Sequence, residues 1–424
     1  MLTRFKIWFY NQATWIYNIE YMIISIFILV GVMLVDLNIW DVSRYIPTFM
    51  FTDASLARMI LAPLAGALLT ITTFTFSTIL AVMIKYSNSY SSKTIENFIK
   101  QKSTMKILGI FIGGFIYDIC ALLLLRGIGD DVEVIAGFVG VAYAIVSIIY
   151  FTIFVQNVIF SMQSINLIRQ IYEETKEVIK KEIAARKNAP AKKYTKQENE
   201  IKVISNKNGY LSAIDYGYLK KLLRDKAELC IIDSKIGDYL NKKTQIAHII
   251  VKEGKDLIKI MDDIKEAFIV LDNKLYFNDY RHGITKLVEI ALRAISPAVN
   301  DPNTAIHSIR KISVLLSYLA KSEHIHTAKV TEDDLEILYI ENNLTEDLYF
   351  TFHQIVHYAK DDVSVMRALL EGLLLIEQTA AEKNRAFVID YATEIYTKSL
   401  PSHNNKMDVA YLEDVYSKFG NVIN

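Results

Sequence analysis

Between Tyr21 and Phe160 the sequence runs through four long apolar stretches, at about 21–37, 59–84, 105–125 and 132–160. A lipid interior offers the backbone no water, so each stretch must satisfy its own N–H and C=O groups. A helix does this, at about 20 residues per crossing. The sequence therefore predicts an α-helical membrane domain with four transmembrane helices over residues 1–171. Ahead of the first stretch, Trp8, Phe9, Tyr10, Trp15 and Tyr17 stand beside Arg4 and Lys6. That composition suits an interfacial helix or an aromatic belt. No small-residue cleavage site closes the first stretch, so it reads as a span and not as a signal peptide.

The formal net charge of the 424 residues is zero, and the balance hides an asymmetry. Residues 1–170 are mostly apolar and the rest of the chain is charged. No bulk basic or acidic excess points to nucleic acid. The two cysteines, Cys120 and Cys230, fall in a span and in a predicted strand, as small buried hydrophobes do. There is no glycine-rich phosphate loop, no Gly-x-Ser-x-Gly and no paired CxxC. No catalytic motif is recognised and no cofactor is implied.

Several polar residues interrupt the apolar stretches. The second carries Thr70, Thr72, Thr73, Thr75, Ser77 and Thr78, of which Thr70, Thr73 and Ser77 share one helical face. They either bond their own helix and pack, or line a polar path. The third holds Gly109-Ile-Phe-Ile-Gly113, then Gly114 and Asp118. The Gly-x-x-x-Gly pair lets two helix backbones approach closely, within the bundle or between protomers. An acid inside a span is a functional hypothesis by default, unless Asp118 lies near enough to the outer surface to be wet. In the fourth, Gly137 and Gly140 mark close packing. Gln156 and Asn157 begin a polar run that predicts a helix continuing out of the membrane.

Lysine and arginine placement orients the chain. Lys85, Lys93, Lys100, Lys102 and Lys106 surround the loop between the second and third spans. The loops after the first and third offer only Arg44 and Arg126, against Asp41, Asp53, Asp130, Asp131 and Glu133. The positive-inside rule puts both termini and the large C-terminal domain in the cytoplasm.

Residues 172–200 read as a charged helical stalk with a linker at Ala189-Pro190-Ala191. Residues 201–278 read as a small β-rich subdomain with strands at 201–205, 210–214, 229–234, 245–251 and 267–271 and helices at 215–224 and 256–264. The run from Gly209 to Ile249 is similar to small barrel-sandwich domains that carry biotinyl or lipoyl groups. No lysine occupies the required tight turn, so only the fold analogy stands. Residues 279–424 read as helical, with helices at 344–358 and 363–381 and a short one near 409–419. The expected architecture is thus a membrane domain plus a cytosolic α+β domain with a small β-barrel-like sheet and helical hairpins.

Within the helical part, Leu287, Ile290, Ala291 and Ala294 recur at helical spacing up to a break at Ser296-Pro297. Pro302 suits the first turn of the next helix, with Asp301 as its N-cap and Thr304 joining the cap. Arg293, Asn300, Asp301, Asn303 and Thr304 make this break either a capped corner or a small anion pocket. His353 and His357 stand at i, i+4, a spacing open to a metal. Residue 354 is Gln, not the glutamate of a metalloprotease, and no third ligand is in the motif. His324 and His326 read as part of a polar loop.

The stretch Asp279-Tyr-Arg-His-Gly-Ile-Thr-Lys-Leu-Val-Glu-Ile-Ala-Leu-Arg-Ala-Ile-Ser-Pro-Ala-Val-Asn-Asp-Pro-Asn-Thr-Ala305 resembles the signature of a bacterial family of predicted membrane proteins, domain of unknown function 2254. Phe74–Leu80, Ser87–Ser92 and the Ser161-Met-Gln163 turn are similar to further parts of that family. The resemblance implies a polytopic membrane protein with a cytosolic domain, and it brings no activity. The family often has paired histidines where this chain has Gln156 and Asn157, so no role tied to those histidines carries over.

Two functions follow as expectations. One is an oligomeric conduit for ions or small solutes, using Thr70, Thr73, Ser77, Asp118, Gln156 and Asn157, with the cytosolic domain as regulator. The other is a membrane-anchored sensor or scaffold that binds a small anionic ligand or a protein at 293–305. The expected partners are the lipid bilayer, further copies of the chain, and ions or a small anion.

Overall fold

A computed structural model describes residues 2–40, 45–89, 102–187, 199–272, 279–322, 326–332, 335–340 and 342–420. Asp41, Arg44, Lys93, Lys100, the 189–191 linker and His324 lie outside the described residues. The chain divides into two compact units, 1–166 and 167–424.

The first unit is built from α1 (Leu2–Asp36), α2 (Ala54–Ser89), α3 (Lys102–Leu125) and α4 (Ala136–Ser161). Each contains a stretch long and apolar enough to cross a membrane: Asn18–Asp36, Ala54–Asn88, Thr104–Leu125 and Ala136–Ser161. The aromatic segment before the first span is continuous with it in one helix. α3 is the central helix and packs on the other three. Of its apolar stretch 56% is buried, against 17% to 28% in the others.

Glycines set the close approaches. A Cβ at Gly109 would lie 3.1 Å from the Asn18 Cα, so the Gly-x-x-x-Gly face of α3 receives α1 of the same protomer. A Cβ at Gly137 would lie 3.1 Å from the Ala57 Cα and seats α4 on α2.

Two boundaries differ from the sequence reading. The fourth helix starts at Ala136 and not near Val132, because β2 (Glu133–Val134) pairs antiparallel with β1 (Thr52–Asp53). That pairing ties the chain ahead of α2 to the chain ahead of α4. Nor does α4 continue unbroken. It stops at Ser161, and α5 (Ser164–Lys187) starts afresh. The amide of Asn166 donates to the Phe160 carbonyl at 3.0 Å and to Gln163 Oε1 at 2.9 Å, and Tyr86 Oη donates to the Ser161 carbonyl at 2.7 Å. Side chains thus take up carbonyls that a continuing helix would use.

The second unit follows α5 with β3 (Glu200–Ile204), β4 (Gly209–Ile214), α6 (Tyr216–Leu223), β5 (Ala227–Ile232), β6 (Tyr239–Leu240), β7 (Gln245–Val251), α7 (Met261–Glu266) and β8 (Phe268–Leu271). Then come α8 (Tyr280–Ala294), α9 (Pro302–Ala320), β9 (His326–Glu332), β10 (Leu335–Ile340), α10 (Leu344–Ala359), α11 (Val363–Thr379), α12 (Glu382–Ser399) and α13 (Lys406–Tyr416). Among the described residues these strands form two sheets, in the orders β3-β7-β5-β10-β9 and β6-β4-β8. Val203, Cys230, Ile249 and Ile337 from the first and Leu211, Leu240 and Phe268 from the second share one buried cluster.

The hairpin β9–β10 corrects the polar-loop reading around His326. Leu335, Ile337, Leu338 and Tyr339 are buried, and β10 lies parallel to β5 in mid-sheet. The 18-residue α12 was also not expected; its buried stripe is only Val388, Ala392, Ile395 and Ser399. Ser308 Oγ donates to the Leu287 carbonyl at 2.7 Å and ties α9 to α8.

Candidate functional site

Asp118 lies on the buried side of α3, with 0% of its surface exposed. Neither carboxylate oxygen has a hydrogen-bond partner among the described residues. Gly140 of α4 makes room for it: a Cβ there would sit 3.1 Å from Asp118 Oδ1 and would also strike Leu61 of α2. The adjacent Tyr117 donates its hydroxyl to the Ala136 carbonyl at 3.0 Å and stacks on Tyr143, with ring centroids 6.2 Å apart. Tyr143 Oη lies 2.8 Å from Ser25 Oγ and donates to the Ile110 carbonyl at 3.0 Å.

Further polar groups occupy the interior at other depths. Thr75 on α2 and Ser147 on α4 are fully buried, and neither hydroxyl has a partner among the described residues. At 1.5 Å per residue, Asp118 is ~10 Å along α3 from Leu125, Ser147 ~16 Å along α4 from Ala136, and Thr75 ~31 Å along α2 from Ala54. Unsatisfied polar atoms thus recur down the length of the bundle. Each costs free energy in an apolar interior, and a native structure keeps such groups for a reason.

The ends of the helices near β1 and β2 are closed by charged side chains. Asp36, the last residue of α1, accepts the backbone N–H of Ile135 at 2.8 Å and of Ala136 at 3.2 Å. It caps α4, whose own N-cap residue Ile135 has no side-chain cap. Arg58 donates to the Leu125 carbonyl at 2.8 Å and the Ile128 carbonyl at 3.2 Å, and pairs with Asp130. Sequence reading missed both residues. The signal was a lone charge at the edge of an apolar run, facing helix ends that have no capping residue of their own.

The hydroxyls singled out in the second span sit elsewhere. Thr70 and Thr73 are on the exposed face of α2 and donate to the Gly66 and Leu69 carbonyls at 2.8 and 2.9 Å; Ser77 shares that face. On α4, Gln156 is exposed and Asn157 half-buried. Within one protomer, these side chains are not brought to Asp118.

The description of the predicted membrane protein family DUF2254 matches residues 11–374. The chain belongs to this family. Two relatives, uncharacterised proteins of Mycobacterium tuberculosis strain H37Rv and of Mycobacterium bovis, are each 23% identical to it over 362 residues, covering 78% of this chain and 66% of the relative. The chain therefore spans slightly less than two-thirds of these relatives' length. No solved structure matches it.

In this DUF2254 protein the signature stretch folds as α8, a tight turn and α9. Asp301 caps α9: Oδ1 accepts Thr304 N–H at 3.1 Å and Oδ2 accepts the Thr304 hydroxyl at 2.6 Å. The Asp301 N–H donates to the Ala294 carbonyl at 2.8 Å, and Ser296 Oγ donates to the Arg293 carbonyl at 2.7 Å. Asn300 takes φ +49°, a left-handed geometry that asparagine tolerates. Arg293, Asn300 and Asn303 are exposed around this corner.

His353 and His357 share a hollow of about 360 Å³ with Tyr391, Glu394 and Lys398. His353 Nδ1 is 2.8 Å from the Tyr349 carbonyl, and its ring stacks on Tyr349 with centroids 4.9 Å apart. Among the described residues no three His, Cys, Asp or Glu side chains group closely enough to hold a metal ion.

Proposed function

We propose that this membrane protein is a conduit for a small cation, and that Asp118 is the group the cation visits. The observation that carries this is a carboxylate with no exposed surface and no partner for either oxygen, inside a span. An ionised carboxylate in such surroundings costs several kcal/mol unless a cation or proton offsets its charge. No lysine or arginine pairs with it among the described residues, and in this reading a mobile cation or proton supplies the offsetting charge. A proton satisfies it with least displacement, since the neutral acid fits the space that Gly140 leaves. Ser25, Tyr143, Ser147 and Thr75 supply hydroxyls along the same interior, groups that can pass a proton or replace part of an ion's water shell.

The proposal includes the orientation and assembly. The lysines between the second and third spans favour that loop and both termini inside the cell, in a bacterial inner membrane. The β1–β2 pairing supports one common side for the other two loops. The second unit is then cytosolic, and it regulates the membrane unit. Thr70, Thr73, Ser77 and Gln156 have a place in this scheme as the contact face between copies of the chain, with any path among them formed only in a homo-oligomer. The sensor reading at Arg293–Thr304 rests on the start of α9, where Asp301 already fills the cap.

The test is purified protein in liposomes under an imposed ion or pH gradient, beside Asp118→Asn. Asparagine keeps the shape and removes the charge and the exchangeable acid. Flux in the parent and its loss in the variant are expected. Equal flux in both would remove Asp118 from the pathway.

A further inference from the structure

In the second unit α5 and α9 meet at a basic face. On α5, Arg169, Tyr172 and Lys176 share one side by helical spacing. On α9, His307, Arg310 and Lys311 fall close together in sequence. Tyr172, only 7% exposed, joins the two helices: Lys311 Nζ lies 4.7 Å from its ring centroid and Lys176 Nζ 5.4 Å. We propose that this face binds the headgroup of an anionic phospholipid in the leaflet from which α5 emerges.

The positive charge here is not answered within the chain. Lys176 reaches Glu173 at 3.7 Å, and Arg310, 64% exposed, reaches Glu371 at 3.5 Å. Exposed pairs of that length contribute little. Arg169 is exposed, and neither it nor Lys311 pairs with an acid among the described residues. The ring of Tyr172 attracts the Lys311 ammonium without neutralising it. The local field is accordingly positive. After burial, the charges of Lys311, Arg310 and Arg169 all help to hold the His307 imidazole below its ordinary value. Like charges gathered in this way repel one another, and an anion relieves that repulsion.

Position in the chain selects a lipid. α4 ends at Ser161 and α5 starts at Ser164, so at most about 18 Å of path separates the end of the span from Arg169. Tyr86 Oη donates to the Ser161 carbonyl at 2.7 Å and Lys85 Nζ to the Met162 carbonyl at 3.4 Å. The chain thus leaves the bundle at the end that carries the lysine-rich loop. The inference rests on the orientation proposed above, with that end cytoplasmic, and not on the conduit. Anionic lipids of the cytoplasmic leaflet attract basic residues that lie close to the membrane surface. Exposed cations hold a free anion weakly in water. A headgroup is different, because the chain keeps this face beside the bilayer at a high effective concentration of lipid.

The test is native mass spectrometry of full-length protein in a nonionic detergent, titrated with phosphatidylglycerol and, separately, with phosphatidylcholine. Phosphatidylglycerol is expected to bind about tenfold more tightly. Arg169→Gln and Lys311→Gln each weaken it by about fivefold, the ~1 kcal/mol that one basic residue contributes beside an anionic surface. Lys398→Gln removes a lysine from α12, away from this face, and leaves binding within about twofold. Arg169 is exposed and has no ion pair to lose, so its variant keeps the fold. Free glycerol 3-phosphate, which carries the same phosphate without the acyl chains, should not compete at the concentration at which the lipid saturates. Equal binding of the two lipids, no more weakening by Arg169→Gln and Lys311→Gln than by Lys398→Gln, or competition by glycerol 3-phosphate overturns the proposal. The readout needs no flux, so its failure is distinct from failure of the conduit.

Discussion

The carboxylate of Asp36 accepts the backbone N–H of Ile135 at 2.8 Å, across 99 residues of chain. One helix thus ends by capping another. The acid at the end of α1 answers N–H groups at the start of α4, where the local sequence Val134-Ile135-Ala136 has no side chain able to do so. The bond also fixes the ends of two spans to each other.

Replacing Asp36 with Ala should destabilise the membrane unit by about 1–2 kcal/mol, the usual worth of a cap. Asn, which keeps one acceptor oxygen, should recover about half of that loss. Reversible unfolding in mixed micelles, with the parent protein alongside, measures it. A loss no larger than that of an exposed substitution would mean that the two helix ends are held by packing alone.

Gly114 tests the packing of α3. A Cβ there would stand 2.6 Å from Tyr143 Cε1 and 2.9 Å from Leu68 Cδ1, so neighbours on two helices must move. Gly114→Ala should cost about 1–3 kcal/mol as an overpacked contact. At Gly31 nothing lies within 4 Å of the added atom. Gly31→Ala should therefore be neutral or slightly stabilising, by helix propensity. The same unfolding assay compares the two.

How far the sequence predicted these features depends on the range of the interaction. Runs of Ile, Leu and Phe announce their own spans, because lipid enforces a local solution to backbone bonding. The α8–α9 corner was also legible. Pro297, Asp301, Pro302 and Thr304 act within a few residues of one another, and Asp301 caps α9 through Thr304 as the spacing indicated. Asp118 stood out by chemistry, since an acid in a span has few structural uses. The rest depends on partners far along the chain. Asp36 meets Ile135, Arg58 meets Leu125, and β10 joins β5 across more than 100 positions. No period of the sequence encodes those meetings. The inward hydroxyls Thr75 and Ser147 are two among many in their spans, and only the packed bundle separates them from the outward Thr70 and Thr73.

The second unit should lose stability in mild acid through His307. Burial first, and then the charges of Lys311, Arg310 and Arg169, hold its imidazole below the ordinary value of 6.5. The unfolded chain then takes up a proton before the folded one does. The contribution to stability is complete above about pH 6.5 and is lost as pH falls through the lower folded value. The melting temperature of the second unit should drop as pH falls below about 6.5, and His307→Asn should flatten that drop. An unchanged slope in the variant would assign the acid sensitivity to another group.

The central claim, that Asp118 carries a cation through the bundle, is tested most directly by the initial rate of internal pH change. Proteoliposomes are loaded with a pH-sensitive dye, and a potassium diffusion potential is imposed with valinomycin. The account predicts acidification or alkalinisation that follows the sign of the potential in the parent protein. In folded Asp118→Asn protein the rate should fall to that of empty liposomes. A rate in the variant equal to the parent's, or a parent rate no higher than that of empty liposomes, would contradict it.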